Sequence, residues 1–197
     1  MDLTGKHVVV TGATAGIGRS SAITLAGLGA DLTLLSRNTE KAEALASEIV
    51  SAGGKQPTLI SMDMAVLDSV RDAARQCLDL NKPIDVLLNN AGVVNTSRVE
   101  TVDGFEETLA VNHFAPFLLT GMLLPLLQNA PTARIVNVAS DAHSFVKSMG
   151  FDDIQAVQSY KTFREYGRSK LANILFTRSL AKRLPESITV NFLHPGA

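Results

Sequence analysis

The chain of 197 residues has the length of one domain, and its 46% apolar content suffices for a sizeable core. A formal net charge of −1 excludes both the basic footprint of a nucleic-acid binder and the acidic composition of a disordered tail. Its one cysteine, Cys77, cannot form an internal disulfide, which fits a reducing compartment, and His7, His113, His143 and His194 lie scattered without metal-ligand spacing, so no metal site is expected.

The chain opens with MDLTGKHVVVTG, which runs straight into a strand with no secretory signal. Short apolar runs then alternate with helical segments. The runs HVVVT (7–11), DLTLLS (31–36), PTLISM (57–62), IDVLLN (84–89), ARIVNVA (133–139) and ITVNFL (188–193) are apolar without alternation, as strands covered on both faces are. Helices fall near residues 17–28, 39–52, 66–80, 105–129 and 162–183, and the order predicts a parallel sheet built from βαβ units. The most membrane-like stretch, Ala110 to Leu127, carries Asn112, His113 and two prolines and reads as a buried helix. A soluble, cytoplasmic protein is expected, with Cys77 packed on its helix. Residues 141–160 form a long mixed loop of the kind that tends to be functional.

The first strand runs into TGATAGIG, Thr11 to Gly18, and a helix follows at once. Glycines permit the tight turn and let backbone approach a pyrophosphate, which the helix N-terminus faces. Gly12, Thr14, Ala15, Gly16, Ile17 and Gly18 are therefore candidate cofactor contacts. This context makes the fold a Rossmann-type, doubly wound α/β sheet in three αβα layers, with residues 1–197 as a single dinucleotide-binding domain. The second strand ends in LLSRN, with Ser36 and Arg37 where folds that choose NAD carry an acid. A guanidinium suits a 2′-phosphate, so NADP is favoured over NAD. Arg19 either assists there or is a solvated residue of the first helix.

The segment YGRSK places Tyr166 and Lys170 on one helix face. With TGATAGIG, NNAG (Asn89–Gly92), VNH around Asn112, IVNVAS ending at Ser140, and HPG, it resembles the short-chain dehydrogenase/reductase family over essentially the whole chain. The run LANILFTRSLAKRL after YGRSK, and the wide gap between Ser140 and Tyr166, are similar to its retinol-dehydrogenase-like branch. The resemblance implies a catalytic tetrad of Asn112, Ser140, Tyr166 and Lys170. Tyr166 would be the acid/base for a carbonyl/alcohol pair, and Ser140 would steady the substrate oxygen. Lys170 would favour the phenolate of a group whose free pKa is about 10, and would hold the nicotinamide ribose.

Further cofactor contacts implied are Met64, Asn90, Ala91, Gly92, Pro195 and Gly196, with Asp63 either beside the adenine or a helix N-cap. Asn89 is expected to brace adjacent strands, His113 and His143 to be packing or loop residues, and His194 to join the HPG turn. Pro116 has no N–H for the carbonyl of Asn112, so it either frees that carbonyl for a water or Lys170, or is a tolerated kink. The implied function is an NADP-dependent oxidoreductase acting on a lipophilic alcohol or carbonyl such as a retinoid, steroid or long-chain aldehyde. Relatives in the family continue past the PG turn with a substrate lid and a last strand, so the C-terminal part of the fold is expected to be missing. The alternative is a truncated, non-catalytic dinucleotide-binding or interaction protein on the same fold. The helices 105–129 and 162–183 either pair in a homodimer or simply cover the sheet.

Overall fold

A computed structural model describes residues 1–196. Residue 197, the last of the expected domain, lies outside them. Six parallel strands form one sheet in the order β3-β2-β1-β4-β5-β6. They are β1 (His7–Thr11), β2 (Asp31–Ser36), β3 (Thr58–Ser61), β4 (Val86–Asn89), β5 (Ala133–Val138) and β6 (Ile188–Leu193). The order reverses at β1, where Val9 stands between Thr33 of β2 and Leu87 of β4. A crevice opens beyond the carboxyl ends of the strands at such a reversal.

Both faces of the sheet are covered, which explains the unbroken apolar runs. On one face Val8, Val10, Leu32 and Leu34 pack with Ala22 and Ala26 of α1 (Gly16–Gly27) and Leu45 and Ile49 of α2 (Thr39–Ser51). On the other, Val9, Leu35, Leu87 and Ile135 meet α3 (Leu67–Asp79), which buries Cys77. That face also meets Leu119, Leu123 and Leu127 of α5 (Ala115–Gln128). Truncating one of these buried leucines to Ala costs about 2–5 kcal/mol. The element boundaries fall close to those expected. Strand β4 starts later than 84 because the Ile84 N–H donates to the Leu126 carbonyl at 3.0 Å, outside the sheet.

The segment expected as one helix over 105–129 is built differently. A short α4 (Glu107–Leu109) begins where the Glu106 carboxylate accepts the Thr108 and Leu109 N–H groups, both at 2.8 Å. A π turn follows at Ala110–Phe114, with the Ala115 N–H bonded to the Ala110 carbonyl, and only then does α5 start. The physical reason is Pro116, which cannot supply the next α-helical donor. Helix Glu107–Gln128 is long and apolar enough to cross a membrane by length and composition, and 56% of that window is buried in the protein.

The 141–160 loop contains two 3₁₀ turns, Asp141–Phe145 and Phe151–Asp153. Contacts from several elements pin it. Arg168 of α6 (Thr162–Ala181) donates to the Asp153 carbonyl at 3.1 Å, and Arg98 Nε to the Gln155 carbonyl at 3.0 Å. The Tyr160 hydroxyl donates to the Asn95 carbonyl at 2.9 Å.

Candidate active site

The crevice at the β1/β4 reversal holds a cavity of about 750 Å³. Its floor is the turn between β1 and α1. Gly12 and Gly16 take the left-handed conformation, φ +68° and +51°, that glycine adopts without strain. Close packing adds a second demand. A Cβ on Gly12 would stand 2.8 Å from Ala91 Cα, and one on Gly18 2.2 Å from the Gly12 carbonyl oxygen. The Thr11 hydroxyl accepts the Asn90 and Ala91 N–H groups at 3.0 Å, and the Asn90 amide donates to the Thr11 and Gly12 carbonyls at 3.0 and 3.2 Å. Asn90 thus holds the turn in shape. Gly18→Ala is expected to cost about 1–3 kcal/mol through overpacking and to lower Tm by roughly 2–10 °C, read by thermal unfolding.

Every residue expected at the cofactor lines this cavity: Gly12, Thr14, Ala15, Gly16, Ile17, Gly18, Ser36, Arg37, Asp63, Met64, Asn90, Ala91, Gly92, Tyr166, Lys170, Pro195 and Gly196. Arg37 is exposed at the mouth, its guanidinium 3.8 Å from the Asp63 carboxylate. Asp63 is not the N-cap of α3. That position belongs to Val66, while Asp63 Oδ1 accepts the Ala65 N–H at 2.9 Å and the carboxylate stays at the cavity. Arg19 does not reach the cavity and pairs with Glu48 on the surface, so the solvated reading holds. Lys41 and Glu107 line the cavity without having been expected; they sit in no motif, and only the folded packing brings them there.

At the other end stand Ser140, Tyr166 and Lys170. Ser140 follows β5 and its Oγ accepts the Ala142 N–H at 3.2 Å, which leaves its own proton available to a ligand. Tyr166 and Lys170 lie one turn apart on α6, with Nζ 5.4 Å from the centre of the Tyr166 ring. Lys170 is only 3% exposed, and burial pulls its pKa down to about 8. Its ammonium donates to the Val138 carbonyl at 2.9 Å. The alternative that Lys170 takes the Asn112 carbonyl is therefore corrected: that carbonyl accepts the Asn173 side-chain amide at 2.8 Å.

Asn112 itself is buried behind Gly92. Its Oδ1 accepts the Val93 N–H at 2.7 Å, and its Nδ2 donates to the Val93 carbonyl and to Ser169 Oγ, both at 3.0 Å. A Cβ on residue 92 would lie 3.2 Å from that Oδ1 and 3.4 Å from Lys170 Nζ, so glycine keeps the three segments close. Asn89 braces the strands as expected, donating to Asn137 Oδ1 at 2.8 Å and Thr120 Oγ1 at 3.0 Å. His143 holds its own loop through the Ser140 carbonyl at 2.7 Å. His194 pairs with Asp141 at 3.1 Å at the start of the HPG turn.

The glycine cradle, the cavity volume and the open strand ends fit a dinucleotide. Beside it, a hydroxyl, a phenol and a buried cation converge where a second, smaller molecule can sit.

The family model described as short chain dehydrogenase matches residues 6–197. The chain is 43% identical to Retinol dehydrogenase 14 of Mus musculus over 98% of this chain and 61% of that protein. It is 43% identical to Retinol dehydrogenase 11 of Homo sapiens over 100% of this chain and 62% of that protein. It thus spans about three-fifths of the length of these curated relatives. A crystal structure of an uncharacterized protein from Mycobacterium paratuberculosis superposes with a TM-score of 0.87 at 36% identity, covering 99% of this chain and 69% of that one. A short chain dehydrogenase from Shigella flexneri, complexed with NADP, superposes with a TM-score of 0.80 at 29% identity, covering 98% and 78%.

Proposed function

The chain belongs to the short-chain dehydrogenase family, and on that premise we propose that it interconverts an alcohol and a ketone or aldehyde with NADP as cofactor. The observation that carries this reading is the phenol of Tyr166 beside the buried Lys170, at the strand ends of a cavity that fits a dinucleotide. The bound dinucleotide supplies or accepts the hydride.

The residues of the chain do the rest. The turn from Gly12 to Gly18 offers backbone N–H groups and the α1 N-terminus to the pyrophosphate. Arg37 at the mouth supplies a guanidinium for a 2′-phosphate, with Lys41 on the same rim. In the reducing direction Ser140 donates to the substrate oxygen and Tyr166 gives it the proton. The phenolate that is left belongs to a ring whose centre is 5.4 Å from the Lys170 ammonium. Gly92 and Asn112 keep that ammonium in place by spacing. The substrate proposed is lipophilic, a retinoid, a steroid or a long-chain aldehyde; the names of the curated relatives, retinol dehydrogenases, favour the first of these. A homodimer through α5 and α6 belongs to the same proposal, and Phe117 and Leu175 are exposed on those helices; sedimentation of the purified chain reads its mass directly.

The test mixes the protein with NADPH and a panel of aldehydes and ketones and follows the absorbance of the reduced cofactor. Substrate-dependent oxidation supports the reading. Tight NADPH binding with no turnover across the panel favours a binding module instead. For the cofactor preference, Arg37→Asp is expected to raise the Kd for NADPH by about 10- to 100-fold, the worth of a charge-assisted contact, and to change the Kd for NADH far less. Fluorescence titration measures both, and an unchanged preference contradicts NADP selection through Arg37.

A further inference from the structure

The residue placed to supply the α-helical donor to the Asn112 carbonyl is Pro116, which has no N–H. The donor comes from another helix. Asn173 of α6 reaches across and gives its Nδ2 proton to that carbonyl at 2.8 Å. Both side chains are buried, so the bond forms away from water.

The orientation of the Asn173 amide is fixed from its other end. Its Oδ1 faces His113 Nδ1 at 3.0 Å. Because Nδ2 is committed to a carbonyl, Oδ1 must accept, and His113 Nδ1 must carry the proton. Burial holds the His113 pKa below its ordinary value, which keeps the ring neutral. The main chain of Asn173 is tied as well. Thr177 Oγ1 donates to the Asn173 carbonyl at 2.8 Å and accepts from Asn137 Nδ2 at 2.8 Å, and Asn137 in turn accepts from Asn89. A buried polar chain therefore runs from the ends of β4 and β5, through α6, to the π turn that carries Asn112.

Asn173 stands three residues after Lys170, on the same helix face. Asn112 meanwhile grips both polar groups of the Val93 backbone at the cavity wall. One amide thus couples the helix of Tyr166 and Lys170 to the wall they work against. We infer that Asn173 is a positioning residue: it takes over the donor that Pro116 withholds, and by doing so sets the spacing between the Asn112 turn and the Tyr166–Lys170 face. Its kinetic consequence rests on the function proposed above; its structural consequence does not.

The test compares Asn173→Leu, Asn173→Asp and the double variant Pro116→Ala/Asn173→Leu, each in the whole chain. Leu has the outline of Asn and gives the carbonyl no donor; Asp gives none when its carboxylate is charged, so the Asp variant is compared at about pH 8–9. Both single variants are expected to lose about 3- to 10-fold in kcat, the worth of one buried hydrogen bond, with KM for NADPH within about twofold. Hydrogen exchange of the 110–115 backbone should rise in the same variants. Pro116→Ala restores an N–H one turn after Asn112, so the double variant should recover part of the kcat and the slower exchange. Pro116→Ala alone shows what that substitution adds by itself, and the inference requires it to raise kcat less alone than in the Asn173→Leu background. If Leu fails to fold, Asp carries the same comparison, alone and with Pro116→Ala. Wild-type exchange and kcat in the single variants, or no recovery in the double one, overturns the inference. A wild-type chain that turns over no substrate overturns the proposed function alone, and the exchange data still decide the role of Asn173.

Discussion

Tyr166→Phe lowers turnover by about 10²- to 10⁴-fold while the Kd for NADPH stays within about twofold. The expectation follows from how little the substitution removes. The ring of Tyr166 remains on α6, over Lys170, and the cavity keeps its walls. Only the hydroxyl proposed to exchange a proton with the substrate oxygen is lost. Ser140 still offers its proton, but its geometry as the cap of the 3₁₀ turn suits holding an oxygen rather than exchanging charge with Lys170. Steady-state rates with NADPH, together with fluorescence titration of the cofactor, separate the chemical step from binding. A variant that keeps more than a tenth of wild-type turnover places the acid/base elsewhere.

Lys170→Met is expected to cut turnover by a similar factor and to make the protein more stable at neutral pH. Burial lowers the Lys170 pKa from 10.5 to about 8, so the folded state holds an ammonium that the unfolded chain hydrates better. A shift of that size corresponds to about 3 kcal/mol of destabilisation below pH 8. The bond to the Val138 carbonyl offsets part of it and is lost in the variant. A net gain of about 1–2 kcal/mol at pH 7 raises Tm by roughly 2–8 °C. The sign with pH follows from proton binding. Between pH 8 and 10.5 the unfolded chain holds the Lys170 proton more tightly than the folded one, so wild-type stability rises with pH across that window. The Met variant lacks that rise, and its advantage is largest near neutrality and shrinks toward pH 10.5. Melting curves of both proteins across this range check it. A lower Tm for the variant at pH 7 means Lys170 stabilises the fold instead of straining it.

The strands and the glycine turn were legible in the sequence because their causes are local. A strand covered on both faces must be apolar at every position, and a turn through φ +68° at Gly12 calls for glycine. That Ser140, Tyr166 and Lys170 would share one cavity was legible because YGRSK and IVNVAS each sit on a recognisable element. Pro116 also announced, locally, that Asn112 would lack its helical donor. Which group replaces that donor was not legible. Asn173 lies 61 positions from Asn112, and only the packing of α6 against the π turn joins them. Likewise the Lys170 ammonium, one of the alternatives for the Asn112 carbonyl, donates to the Val138 carbonyl at the end of β5. The choice between the two readings of Arg19, and the place of Lys41 at the cavity, were not legible for the same reason: side-chain reach depends on how α1 and α2 lie on the sheet.

Isotope transfer decides the chemistry most directly. NADPH carrying deuterium at the transferable position is incubated with the wild-type chain and a lipophilic aldehyde, and the alcohol is analysed by mass spectrometry. Hydride exchange at this site predicts deuterium on the carbinol carbon with the wild type and a 10²-fold or greater loss of product with Tyr166→Phe. Saturating NADPH binding with no deuterated alcohol from any carbonyl in the panel contradicts it.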